Sequence, residues 1–288
     1  MSTIIDGLSL GAIYALIALG YTMVYGIAKM LNFAHGDIIM VGAYSVYSTL
    51  LLLNLPVLAI VFALIICVIL GVVIEKIAYK PLRGSSPLAV LITAIGVSYL
   101  LQSIAQLIYG AKTVPVTLAR FDTVNIGNVL KINISTIITL AVGAALMAGL
   151  TVFIKRSKVG RAMIAVSEDR QAAELMGVNV NFIITLTFAI GSALAAVASV
   201  FYLLQIPSTS PTLGSMPGIK AFTAAVIGGI GSIPGAMLGG LLLGLVEKIC
   251  QSIDVISPYT TAIEFSLLIL ILMVRPTGFL GKKIREKV

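Results

Sequence analysis

The stretch from Lys155 to Asn181, KRSKVGRAMIAVSEDRQAAELMGVNVN, is the one long hydrophilic segment with helical character in a chain that is otherwise mostly apolar. Ser167 and Asp169 are its candidate N-caps, Glu168 and Asp169 place negative charge where a helix N-terminus favours it, and Gly177 supplies the C-terminal stop. The helix between them is short. It carries Ala172, Ala173, Leu175 and Met176, a small apolar surface that flanking membrane segments would leave uncovered, so a protein partner is expected there.

Composition decides what surrounds this island. Of 288 residues, 59% are hydrophobic and only 10% charged, with a mean hydropathy of +1.11. A soluble domain of this length cannot hide that much apolar surface behind a polar exterior. The fold class is therefore all-α, a polytopic transmembrane helical bundle formed as a single domain over residues 1–288, with the loop at about 155–181 outside the lipid. The net charge of +8 matches the excess of Lys and Arg in loops retained in the cytoplasm, and nucleic acid is not needed to explain it. Cys67 and Cys250 provide neither a disulfide framework nor a metal site. MSTIIDG lacks the basic region of a cleaved signal peptide, so the first apolar segment is expected to be retained. With no Trp, the candidate interface anchors are Tyr25, Tyr79, Tyr109, Tyr202 and Tyr259.

A membrane helix needs about 20 apolar residues. By that measure spans fall near 7–27, 38–53, 57–78, 88–109, 134–154, 182–205 and 259–274, with a longer glycine-broken region at 219–247. Placing 155–170 in the cytoplasm puts fourteen of the nineteen cations there, among them Lys29, Lys76, Lys80, Arg83, Arg275, Lys282, Lys283, Arg285 and Lys287. The opposite side keeps Lys112, Arg120, Lys131, Lys220 and Lys248, and the N-terminus lies outside. Parity then requires 219–247 to return to the side it leaves, as two crossings or as a re-entrant pair. AFTAAVIGGIGSIPGAMLGGLLLG supports a break: Gly228, Gly229, Gly231, Pro234 and Gly235 are too many breakers for one uninterrupted helix. Irregular backbone at membrane depth is tolerated only inside protein or beside a water-filled cavity, where transporters put their pathways.

Further polar features are few. Gly231, Gly235, Gly239, Gly240 and Gly244 either pack helices closely or line a pathway. Asn32, His35, Gly36 and Asp37, in LNFAHGD, form a second polar interruption that reads as a capped turn or as a gate. His35 is the sole histidine and has no metal-ligating or triad company. Glu75 and Glu247 fall at segment ends within reach of headgroups, whereas Glu264 lies inside the last span and is a functional candidate. No G-x-x-x-x-G-K-[ST] occurs, which excludes ATP binding by a P-loop. The segment 110–133, with Lys112, Arg120, Asp122 and Lys131, is the largest non-apolar external loop, either a landing surface or plain solvated chain.

YALIALGYTMVYGI (Tyr14 to Ile27), LNFAHGD (Leu31 to Asp37), GRAMIAVSEDRQAAELMGVNV (Gly160 to Val180), AFTAAVIGGIGSIPGAMLGGLLLG (Ala221 to Gly244) and RPTGFLG (Arg275 to Gly281) together resemble the branched-chain amino acid ABC importer permeases of the LivH type, from about Gly7 to Gly281. The resemblance implies an inner-membrane, non-catalytic subunit without a cofactor of its own. Its partners would be a second homologous permease in a heterodimer, two cytoplasmic ATPases that bind ATP and Mg, and an extracytoplasmic protein delivering leucine, isoleucine or valine. Urea, short amides or other amino acids are the alternative solutes. The island is similar to the loop by which importer permeases dock on their ATPases: Gln171, Ala172, Ala173 and Gly177 match its E-A-A…G spacing, with Gln in place of Glu and no downstream Ile-x-Leu-Pro. That likeness assigns coupling to Gly160, Arg161, Glu168, Asp169, Arg170, Ala172, Ala173 and Gly177, and makes the spans 134–154 and 182–205 levers. It leaves Asn32, His35, Gly36, Asp37, Gly228, Gly229, Gly231, Pro234 and Gly235 as candidates for the pathway or its gate.

Overall fold

The computed structural model describes residues 2–119, 123–126 and 130–281. Arg120, Asp122, Lys282, Lys283, Arg285 and Lys287 lie outside the described residues, as does the side chain of Lys131. In chain order the helices are α1 (Ser2–Ala28), α2 (His35–Leu53), α3 (Pro56–Ile74), α4 (Pro87–Tyr109), α5 (Ile134–Arg156), α6 (Lys158–Glu168), α7 (Arg170–Leu175), α8 (Val180–Gln205), α9 (Ser215–Gly228), α10 (Ile233–Gln251) and α11 (Thr260–Val274). A π-helical turn, Glu75–Tyr79, and a 3-10 turn, Lys80–Leu82, extend α3. Four short strands interrupt the helical pattern: β1 (Val114–Pro115), β2 (Thr123–Ile126), β3 (Leu130–Asn133) and β4 (Ser208–Thr209). β2 and β3 form an antiparallel hairpin, while β1 pairs with β4 and joins the loop after α4 to the loop after α8.

Among the described residues, eight helical stretches are long and apolar enough to cross a membrane. Seven of them coincide with the expected spans to within a few residues, because length and hydropathy are all that a crossing demands, and the eighth, Ile233–Gln251, begins inside the expected broken region. Their burial differs sharply and sets the architecture. The α1 window is 72% buried and that of α8 67%, against 17% for α4 and 11% for the last span. So α1 and α8 are the inner helices, and α3, α4, α5 and α11 present Ile, Leu and Val on the outside of the bundle. α1 is apolar all round for the same reason: Ile13 to Leu19 touch neighbours on every side and are essentially inaccessible.

α1 and α10 run antiparallel in close contact, with Gly7 facing Leu245, Gly11 facing Leu241 and Gly244, Ala15 facing Gly240, and Gly26 facing Gly231. A β-carbon on Gly240 or Gly244 would collide with the α1 backbone. In a lipid environment, where the hydrophobic effect does not drive helices together, such small-residue contact supplies the dispersion that holds them. Gly240 and Gly244 are thus packing positions against α1. Gly231 itself precedes α10, in the turn 229–232, at φ +92°.

The same register resolves the broken region. α9 descends to the turn beside Gly26, and α10 climbs back until Leu245 meets Gly7 near the other end of α1. Residues 215–251 are thus two antiparallel legs and not a single helix. Three expectations need correction. Lys220 is not a loop cation but is buried within α9. Tyr79 is not an interface anchor, since it is fully buried and donates to Asn32 Oδ1 at 2.8 Å. Glu75 and Glu247 do not reach headgroups; both are buried in polar clusters described below.

Candidate functional site

The hydrophilic island folds as an elbow of two helices where one was expected. Ser157 caps α6, its Oγ accepting from Gly160 N at 2.8 Å. Asp169 both ends α6 and starts α7, its Oδ1 accepting from Gln171 N at 2.9 Å and Ala172 N at 3.0 Å. Gly177, at φ +83°, closes α7 in the left-handed region, where a β-carbon is costly. Gly160 lies so close to the backbone of Ile154 that a side chain there would push the elbow off α5.

One face of the elbow is fixed to the membrane bundle. Met163, Val166 and Ala173 are buried in the main core, so Ala173 is covered by its own chain, contrary to expectation. Arg170 reaches inward and donates to the carbonyl of Ala28, the last residue of α1. The other face is open. Leu175 and Met176 are 89% and 85% exposed, and Arg161, Glu168, Asp169 and Ala172 are exposed beside them. Cations crowd the floor of the elbow: burial, then the nearby Arg170, lowers the Lys29 ammonium pKa, and burial, then Arg83, lowers that of the Arg170 guanidinium.

The candidate gate residues divide into two groups separated by the length of α9, about 21 Å for its 14 residues. The first lies at membrane depth. His35 occupies the space beside Gly20, about 12 Å before the end of α1. α2 therefore starts inside the bundle. Gly36 touches Gly214 and Gly218, so the first turns of α2 and α9 meet there. His35 packs edge-on to Tyr21 at 4.9 Å, which itself meets Phe222 of α9 at 5.9 Å. Asp37 Oδ1 accepts from Gln102 Nε2 at 3.0 Å, and the same amide nitrogen lies 3.2 Å from both Ser98 Oγ and Ser215 Oγ.

The second group forms the α9–α10 turn. Gly228 and Gly235 pack backbone to backbone, Gly229 and Gly231 have positive φ, and Pro234 stands in the first turn of α10. The chain's RPTGFLG segment folds back on this turn: Phe279 N donates to Ile227 O and Leu280 N to Gly228 O, both at 2.9 Å. Carbonyls that end α9 unpaired are thereby satisfied by the C-terminal segment. Two of the sequence motifs are thus one structural unit.

The family described as branched-chain amino acid transport system, permease component, matches residues 3–274. The chain belongs to this family. The high-affinity branched-chain amino acid transport system permease protein BraD of Pseudomonas aeruginosa is 45% identical over all of this chain and 98% of its own length. The corresponding LivH of Escherichia coli K12 is 42% identical over 98% of this chain and 96% of its own. The ribose import permease protein RbsC of Haemophilus influenzae is 31% identical over 45% of this chain and 42% of its own.

Three polar clusters of this branched-chain amino acid permease family member escaped sequence reading. Lys220 Nζ lies 2.7 Å from Glu247 Oε1 and 3.2 Å from Glu264 Oε2, and Tyr14 OH donates to Glu247 Oε2 at 2.7 Å. Glu75, completely buried, pairs with Arg83 and accepts from Thr185 Oγ1 at 2.7 Å. Arg83 also donates to Asn181 Oδ1, which ties the end of α3 to the start of α8 beside the elbow. The Gln102–Ser98–Ser215 group surrounds Asp37 in the first group of gate candidates. The available signal was a charge set inside an apolar segment, which demands a partner from another helix.

Proposed function

We propose that the chain is the membrane-spanning permease subunit of an ABC importer that carries leucine, isoleucine and valine from an extracytoplasmic binding protein into a bacterial cell across the inner membrane. The observation that carries this reading is near full-length similarity to two proteins named as high-affinity branched-chain amino acid transport permeases. The subunit pairs with a second homologous permease chain, and ATP and Mg are bound by two cytoplasmic ATPases. The elbow faces the cytoplasm. Its exposed Leu175 and Met176, with Ala172 between the caps, form the knob that enters the ATPase, and Arg161, Glu168 and Asp169 stand at its rim. The fixed face supplies the transmission. Arg170 on the end of α1, and Glu75–Arg83–Asn181 at the end of α3, connect a displaced elbow to the inner helices.

Passage runs past the first gate, where α2 and α9 start, and is closed on the cytoplasmic side by the glycine turn. A family scaffold that reaches as far as a ribose import permease accommodates other solutes as well. Urea, short amides or other amino acids are therefore the second reading. Reconstitution in proteoliposomes tests both. With the pair, the ATPases and the binding protein present, uptake of radiolabelled leucine should require ATP, and urea should not compete. Leucine uptake by this chain without ATPases would overturn the proposal.

A further inference from the structure

Between α2, α3 and α4 lies a cavity of about 430 Å³, open on the outer side of the bundle at Phe62, Ile66 and Ile104, whose lining adjoins the first group of gate candidates without including them. Its size is that of a small-molecule site, and its walls have the usual make-up, mostly apolar with a few convergent polar groups. Phe62, Ile66, Leu101 and Ile104 give the apolar wall. Ser48 Oγ and Tyr109 OH, 2.7 Å apart, give one polar edge. Tyr44 is stacked on Tyr109 at 4.2 Å and only 3% exposed, yet its buried hydroxyl has no hydrogen-bond partner. A buried hydroxyl left without a partner costs stability, and a solute oxygen or nitrogen in the cavity would satisfy it.

Asp37 lies one turn beneath the wall residue Val41 on the same stripe of α2, and its partner Gln102 follows the wall residue Leu101 on α4. Asp37 is 1% exposed. The ion pairs of the described residues are Arg83–Glu75, Lys220–Glu247 and Lys220–Glu264, so no protein cation faces this carboxylate. Asp37 stands in the first turn of α2, where the helix N-terminus favours a carboxylate, beside Gln102 and Ser98 but with no cationic side chain paired to it among the described residues, so a solute cation would find an uncompensated charge there.

We propose that this cavity is a solute site of the permease, which takes a zwitterionic amino acid with its branched apolar side chain against Phe62, Ile66 and Leu101 and its ammonium group held at Asp37. The assignment rests on the importer reading above. It also explains why α2 begins at depth: the break puts Asp37 in the first turn, below the cavity, and the rest of α2 along its side. Tyr44 OH then meets the solute's carboxylate.

The test uses the complete importer in proteoliposomes, with Asp37→Asn, with Ala105→Phe to fill the cavity from α4, and with Ser48→Cys. Both of the first two variants should lower leucine uptake about tenfold or more, as removal of a polar partner or of pocket volume does. Co-purification with the ATPases and binding-protein affinity should stay unchanged. Ser48→Cys should react with a water-soluble methanethiosulfonate and be slowed by leucine-loaded binding protein with ATP. That measurement stands even where Asp37→Asn fails to assemble. Parental uptake by both Asp37→Asn and Ala105→Phe overturns the cavity while leaving the importer intact. A cysteine at 48 inert to the water-soluble reagent means that lipid fills the cavity, and also overturns it. A parental complex that moves no branched-chain amino acid overturns the importer reading, and the site with it.

Discussion

The ammonium nitrogen of Lys220 on α9 lies 2.7 Å from Oε1 of Glu247 on α10. Glu264 of α11 flanks the same nitrogen at 3.2 Å, and Tyr14 of α1 and Gln251 of α10 complete the shell of Glu247. One cation thus joins the two legs of the broken region to the last span. Removing it leaves two carboxylates buried without a counter-charge, which typically costs about 3–5 kcal/mol. Lys220→Met should therefore lower the thermal midpoint of the detergent-solubilised protein markedly, and the triple variant Lys220→Met, Glu247→Gln, Glu264→Gln should recover much of the loss. A single variant as stable as the parent would contradict the cluster.

Close packing of α1 on α10 makes a second prediction. A β-carbon on Gly244 would meet the backbone of Gly11 and Gly7. Gly244→Val should destabilise the bundle by about 1–3 kcal/mol through overpacking. Gly84, which has nothing near its side-chain position, serves as the comparison at a loop site, although its own φ of +103° makes Asn the gentler replacement there. Size-exclusion profiles after graded heating report both.

At the elbow, stability and coupling separate by residue. Gly177→Val forces a branched residue into left-handed geometry, at about 1–2 kcal/mol, and should loosen the end of α7. Leu175→Asp and Met176→Asp alter only exposed side chains. Those two should insert and fold normally yet lose ATPase pull-down and leucine uptake; retained pull-down would remove the knob from the interface.

The C-terminal clasp gives a fourth measurable effect. Gly278 has φ +73°, and a side chain there would collide with Gly229 and the carbonyl of Val226. Gly278→Val should break the two hydrogen bonds to Ile227 and Gly228, worth about 1 kcal/mol each, and expose the turn. A cysteine at position 231 should then react about tenfold or more faster with a water-soluble thiol reagent. Equal rates with and without the substitution would mean that the clasp does not hold the turn.

Hydropathy made seven membrane spans legible to within a few residues, since each segment's apolar length is a local property. The break at Gly228 to Gly235 was equally local, because glycine and proline act on their own backbone. What stayed hidden depends on partners distant in sequence. Lys220 counted as a loop cation because its carboxylates, Glu247 and Glu264, come from other helices. Tyr79 looked like an anchor until Asn32, on the far side of α2 and α3, accepted its hydroxyl. The island read as one helix although Asp169, a recognised cap, could only be capping the second of two. The spacing of the two gate motifs was hidden as well: α9 keeps Asp37 and Gly228 at its opposite ends.

In the proposed importer, motion is imposed on a passive gate through the elbow from the cytoplasmic side. Met176→Cys tests it most directly, because Met176 is 85% exposed at the tip of the elbow. In intact cells a membrane-impermeant maleimide should leave this cysteine unlabelled; after lysis it should label readily, and bound ATPase subunits should shield it. Labelling from outside intact cells would place the elbow beyond reach of any cytoplasmic ATPase and contradict the account.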